Sequence, residues 1–121
     1  MGDRLTEQII GAVIEVHRLL GPGRLESIHE EALCHELTSR SIESSRQVDM
    51  DLVYKGHAIK GQRLDVLVEQ EVIIELKWVT RLPEIAMAQT LSYLKAAQLK
   101  RALLANFGEK RLVEGITRIS L

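Results

Sequence analysis

Asp65, Glu75 and Lys77 are ionisable side chains set inside stretches that otherwise read as strands. Asp65 interrupts Leu64–Val68, while Glu75 and Lys77 interrupt Val72–Trp78. Strand side chains alternate in direction, so Glu75 and Lys77 share one face and Leu76 points away. If the Glu69-Gln70-Glu71 connection centres on Gln70, Asp65 lies directly opposite Glu75, with Cβ atoms roughly 4.5–5.5 Å apart. A two-residue turn would instead shift the register by one. Two carboxylates about 5 Å apart repel by roughly 3 kcal/mol at an effective dielectric near 20. A cation or a shared proton must remove that repulsion. Lys77 offsets part of it and a divalent metal offsets all of it, oxygen-only ligands favouring Mg²⁺ or Mn²⁺ over Zn²⁺. Such an ion acidifies bound water and stabilises charge on a phosphoryl group. The Lys77 ammonium then orients the nucleophile or stabilises an anionic transition state. The same residues also fit a cross-strand salt-bridge cluster on a solvated sheet face.

The surrounding pattern predicts the elements that hold these residues. Leu5, Ile9, Ile10, Val13, Val16, Leu19 and Leu20 recur at helical spacing, and Gly21-Pro22-Gly23 ends that helix. A second helix is expected over about residues 25–39, with Leu25, Ile28, Ala32, Leu33 and Leu37 as its stripe and Glu26, His29 and Glu30 side by side. From residue 46 the period becomes two, through Val48, Met50, Leu52 and Tyr54, followed by the turn signal Lys55-Gly56-His57. Leu64, Val66 and Val68 are read as one face of the next strand, opposite Arg63, Asp65, Leu67 and Glu69. Val72–Trp78 is dense in apolar groups and so central. Pro83 suits the first turn of a helix running to about Gln98. A buried strand over Arg101–Phe107 and an edge strand over about 111–119 complete the order ααβββαββ, a mixed sheet flanked by helices in an α/β fold.

Length and charge narrow the classes. A chain of 121 residues fits a single domain, residues 1–121, and 45% apolar with 27% charged residues is ordinary globular composition. No apolar run approaches the ~20 residues of a membrane span. Met1-Gly2-Asp3-Arg4 opens no signal peptide, so a cytoplasmic protein is expected. Cys34 is the one cysteine, which leaves no disulfide or multi-cysteine zinc site and suits a small core residue. The net charge of −1 excludes a strongly basic nucleic-acid coat. Tyr54, Trp78, Tyr93 and Phe107 are too few for an extended base-stacking platform. Arg81, Lys95, Lys100, Arg101, Lys110 and Arg111 read either as a phosphate-contacting patch or as scattered solvated charges.

Asp65 followed by Glu75-Leu76-Lys77 resembles the D…ExK core of the PD-(D/E)XK nuclease superfamily. Gln89 and Tyr93 are similar to the QxxxY element of its RecB-like branch. Gly23-Arg24-Leu25-Glu26-Ser27-Ile28-His29 resembles the signature of the GxxExxY proteins, as do Val16-His17-Arg18, Gly21-Pro22-Gly23 and Asn106-Phe107-Gly108 around it. Leu64 stands where the superfamily often has Pro, and His29 where GxxExxY ends in Tyr.

The resemblance implies a restriction-endonuclease-like three-layer fold and Mg²⁺- or Mn²⁺-dependent cleavage of phosphodiester bonds. It implies that Asp65, Glu75 and the Leu76 main-chain carbonyl hold the metal, with Glu26 as an additional, often water-mediated ligand. Lys77 acts on the attacking water, and Gln89 positions the site or the substrate backbone. His29 and Tyr93 are accessory candidates. Each also has a packing role open to it, His29 as a half-buried residue hydrogen-bonded to Glu26, and Tyr93, with Gln89, in packing their helix against the sheet; His17 reads as a structural residue bonded to a loop. Glu26 also fits a first-turn carboxylate that complements the helix dipole. Nucleic acid is the expected partner, DNA ahead of RNA, and a homodimer would double the phosphate contacts of so small a domain. An inactive nuclease-fold binding or assembly module, and a phosphohydrolase acting on nucleotides, are the alternative functions.

Overall fold

A computed structural model describes residues 3–23 and 25–121; Met1, Gly2 and Arg24, the second residue of the Gly23–His29 motif, lie outside the described residues. The first helix, α1 (Arg4–Leu20), begins where the Asp3 carboxylate accepts the Thr6 N–H at 2.7 Å and the Thr6 hydroxyl at 2.8 Å. It stops at Gly21, which holds φ 69° and donates its N–H to the His17 carbonyl. Helix α2 (Glu26–Ser39) follows, with His29, Glu30, Leu33 and Leu37 on its buried side. Strands β1 (Ser44–Tyr54) and β2 (His57–Val68) form a long hairpin closed by Lys55-Gly56, both at positive φ. Strand β3 (Val72–Lys77), helix α3 (Ile85–Ala97), strand β4 (Arg101–Asn106), a 3₁₀ turn (Leu112–Gly115) and strand β5 (Ile116–Ser120) complete the chain.

The strands lie in the order β1-β2-β3-β4-β5, and only β3 and β4 run parallel. This is the expected mixed α/β sheet in the order ααβββαββ. β3 is central, which explains its apolar density: Val72 to Leu76 are all buried, with helices on both faces of the sheet. On one face α1 and α2 place Ile9, Val13, Val16, Leu33 and Leu37 against Val66, Val68, Ile74, Leu103 and Phe107. On the other, Ala86 and Leu94 of α3 cover Leu67, Ile73, Ala102 and Leu104.

Three local expectations are corrected. α3 starts at Ile85, two residues after Pro83; Glu84 already has helical dihedrals, and i→i+3 bonds from Ala86 N–H to Pro83 C=O and from Met87 N–H to Glu84 C=O lead into the helix. The first half of the expected last strand is the 3₁₀ turn, which tucks Leu112 into the core beneath α1. Leu64 packs with Leu67 on the α3 side, not with Val66 and Val68. The alternation breaks at Asp65, which falls between the Val48–Leu64 and Arg46–Val66 pairs opposite Gln47, a residue at φ 51°.

The chain after β3 is clamped from β4. Asn106 Oδ1 accepts the N–H groups of Val79 and Gly108, both at 3.0 Å, and its Nδ2 donates to the Val79 carbonyl at 2.9 Å. The Phe107 N–H donates to the Lys77 carbonyl at 2.7 Å. Gly108 lies so close to Val79 that a Cβ there would collide with the Val79 main-chain nitrogen, carbon and oxygen. Gly108→Ala is therefore expected to cost about 1–3 kcal/mol in urea unfolding, since backbone, unlike a side-chain tip, does not move aside cheaply. An unchanged midpoint contradicts this close approach.

Candidate active site

The site begins as a fork in the sheet. β2 and β3 are joined by a tight turn in which Glu69 and Gln70 hold positive φ and the Glu71 N–H bonds the Val68 carbonyl. Pairing then runs Val68–Val72, Leu67–Ile73 and Val66–Ile74, which is the register centred on Gln70. Beyond Ile74 that ladder ends, while β3 remains paired to β4 as far as Lys77–Asn106. Asp65 and Glu75 sit at the point of divergence and replace the missing ladder bonds with their side chains. The Asp65 N–H donates to Glu75 Oε1 at 3.2 Å, and the Leu76 N–H donates to Asp65 Oδ2 at 2.8 Å.

The resulting cleft, about 410 Å³, is lined by Asp65, Glu75, Leu76 and Lys77 from the fork. Glu26 and Glu30 of α2, Gln47 and Arg63 of the hairpin and Tyr93 of α3 reach the same space. Glu75 is only 5% exposed. Burial first, and the Asp65 charge second, push its carboxyl up to about 8, against the opposing Asp65 N–H and the Lys77 ammonium. Burial also raises Asp65, opposed by the Leu76 N–H and the Lys77 charge and reinforced by Glu30. Tyr93 is raised by burial and by the two nearby carboxylates. Among the described residues neither Asp65 nor Glu75 pairs with an arginine, and Lys77 forms no direct salt bridge.

The other expected residues divide. Glu26 is exposed in the first turn of α2 and faces the cleft. Gln89 is exposed on α3, one turn before Tyr93, and stands outside the cleft lining. His29 is fully buried and does not line the cleft. Its Nδ1 accepts the Trp78 indole N–H at 2.8 Å, and since an indole only donates, Nε2 carries the proton given to the Gly21 carbonyl at 2.9 Å. Both ring nitrogens are thus engaged, which corrects its accessory reading: it is a packing residue, bonded to Trp78 and Gly21 instead of Glu26. His29 stacks on Phe107 at 4.5 Å, and His17, bonded to the Glu109 carbonyl at 2.8 Å, stacks on the same ring at 6.0 Å.

Glu30 is the site residue that sequence reasoning passed over. It is buried, lines the cleft, and binds Arg46 Nε at 3.1 Å and Gln47 Nε2 at 2.9 Å. Its place one helical turn after Glu26 was the available signal. In the expected basic patch, Arg101 is committed to Asp3 at 2.7 Å and Glu71 at 3.3 Å. Cys34 is half-buried and its thiol is pushed up by burial, consistent with a packing role.

A mixed sheet between helical layers thus carries two carboxylates and a lysine at a fork of its central strands. A family model of the PD-(D/E)XK nuclease superfamily matches residues 3–119, and the chain belongs to that superfamily. No curated protein and no solved structure matches the chain. Nucleases of this superfamily generally use divalent metals. No helix among the described residues is long and apolar enough to cross a membrane.

The donor set fits such an ion: it is all oxygen, it includes two carboxyls whose charge is suppressed by burial and mutual repulsion, and a lysine stands beside them. Among the described residues no group of three His, Cys, Asp or Glu side chains forms a complete ligand set, so the pair needs main-chain oxygen and water to fill a coordination shell.

Without metal the pair sets a pH dependence. The Glu75 carboxyl lies at about 8 in the fold against an ordinary 4.5, so its stabilising contribution is full below 4.5 and is lost as pH rises through about 8. Metal-free protein should lose on the order of 2–4 kcal/mol across that window. Glu75→Gln, which still accepts from the Asp65 N–H, should flatten most of the loss in urea melts between pH 5 and 8. Identical slopes for wild type and variant contradict the burial and repulsion that raise the Glu75 carboxyl.

Proposed function

We propose that the chain is a Mg²⁺- or Mn²⁺-dependent nuclease of the GxxExxY kind. The observation that carries this reading is the pair of half-buried Asp65 and buried Glu75, held by each other's strands and, among the described residues, without a cationic partner in direct contact. Asp65, Glu75 and the Leu76 main-chain carbonyl would hold the ion, with Glu26 contributing through water. When bound, the ion supplies charge neutralisation at the phosphoryl group and a more acidic water. Lys77, which lines the same cleft, would orient the attacking water and stabilise developing negative charge. Tyr93 closes the α3 side of the cleft, and Gln89, exposed one turn away, meets the substrate backbone. The open form of the cleft supports a polymeric substrate over a free nucleotide. DNA is the substrate proposed first and RNA second, with a homodimer as the working assembly.

Cleavage of duplex, single-stranded and branched DNA, and of RNA, in Mg²⁺ tests the reading. Asp65→Ala and Lys77→Ala should each lower cleavage by at least about 100-fold, in line with the loss of a group that stabilises only the transition state. Equal residual cleavage by wild type and both variants identifies a contaminant and overturns the proposal.

One observation favours a second reading, a binding module that retains the fold: the two carboxylates have no third partner grouped with them among the described residues. Calorimetric titration with Mn²⁺ separates the two readings. An enzyme binds the ion and loses it in Glu75→Ala, whereas a metal-free module gives no heat in either protein.

A further inference from the structure

The β1–β2 hairpin is longer than the sheet it belongs to. Among the described residues β2 pairs with β3 only through Val66–Val68, and the outermost apolar residue of β1 packed with the α3 cluster is Met50. Residues 52–60 therefore stand free as a two-stranded ribbon. From Asp65 to the Lys55-Gly56 turn is nine residues, or about 30 Å at ~3.3 Å per residue, close to one turn of duplex DNA.

The composition of this tip is unusual for solvated ribbon. Leu52 faces Ile59 and Tyr54 faces His57 across the strands, and all four are exposed. Val53 is 67% and Tyr54 59% exposed, which for apolar groups on both faces of an uncovered ribbon marks a contact surface. No carboxylate occurs between Leu52 and Arg63, while Lys55, His57, Lys60 and Arg63 do. Lys60 and Arg63 answer Asp51 at 3.3 Å and Asp49 at 3.0 Å. Among the described residues Lys55 has no such partner, and it lies over the Tyr54 ring at 5.5 Å. The same two strands enter the cleft through Gln47 and Arg63.

We propose that residues 52–60 form a nucleic-acid-gripping arm, which holds a duplex about one helical turn from the carboxylate pair. The proposal rests on the nuclease reading for its geometry and extends it to a second contact site. Apolar wedges combined with the Lys55 ammonium, which forms no ion pair among the described residues, suit a groove and its phosphates. A ribbon tip of this size is too small to supply the ~1,200 Å² that a stable protein interface buries. Its all-basic charge complements phosphate.

Fluorescence anisotropy in Ca²⁺, with a duplex of about 24 base pairs and a hairpin duplex of about 8, tests the arm, since only the longer one spans cleft and tip at ~3.4 Å per base pair. Wild type should bind the longer duplex at least tenfold more tightly. Lys55→Glu combined with Tyr54→Ala should erase that preference and lower the dependence of log affinity on log salt by about 0.9 for the cation removed. Should the double variant misfold in urea melts, Lys55→Glu alone, at an exposed turn, carries the test. Equal affinity of wild type and variant for the longer duplex overturns the arm, whether or not wild type cleaves in Mg²⁺. Arm-dependent binding without cleavage supports the arm and sinks only the nuclease reading. A variant that turns a dimer into a monomer in sedimentation while binding duplex normally makes the tip a protein interface and overturns the proposal.

Discussion

The organising constraint is an exchange of main-chain hydrogen bonds for carboxylate ones at the fork between β2 and β3. Asp65 accepts the Leu76 N–H, and Glu75 accepts the Asp65 N–H. Backbone donors left unpaired inside a sheet are costly, so the fork cannot open unless acceptors of this reach stand at 65 and 75. The same bonds prevent the two acids from turning outward to water. Repulsion and burial therefore act on groups that have nowhere to go, which is why Glu75 is displaced so far from an ordinary carboxyl. A fold that keeps such a pair carries a standing affinity for positive charge at that point.

The surrounding residues keep that point rigid. Asn106 grips both polar groups of Val79, and Phe107 bonds Lys77. Phe107 is also the ring on which His17 of α1 and His29 of α2 stack. His29 in turn holds the Trp78 indole. The scattered motif residues of the first helix, the second helix and the fourth strand thus converge on one segment, Lys77-Trp78-Val79, and so on the lysine of the site. From α2 the Glu30 carboxylate reaches across to Arg46 and Gln47, which steadies the distorted part of β1 facing Asp65.

The element order was legible because each element is long enough to show its period, and the density of β3 announced its central place. The register that brings Asp65 beside Glu75 was legible as one of two, conditional on a turn centred on Gln70, although the ladder itself stops at Val66–Ile74. Leu64 was misread because alternation assumes an unbroken strand, and the break at Asp65 depends on Gln47, a residue of the neighbouring strand. The turn at Leu112–Gly115 looks like strand in composition, and only packing beneath α1 decides it. His29 differs again: spacing put it beside Glu26, but its partners Trp78 and Gly21 come from segments that only the tertiary fold brings near. Glu30 shows the converse, a residue at the right spacing whose worth appears only when β1 supplies Arg46 and Gln47.

Crystals soaked in Mn²⁺ and measured for anomalous scattering test the central claim most directly. The account predicts one strong peak within coordination distance of both Asp65 and Glu75, with the Leu76 carbonyl oxygen in its shell. A fork that stays free of the ion at saturating Mn²⁺ would contradict it.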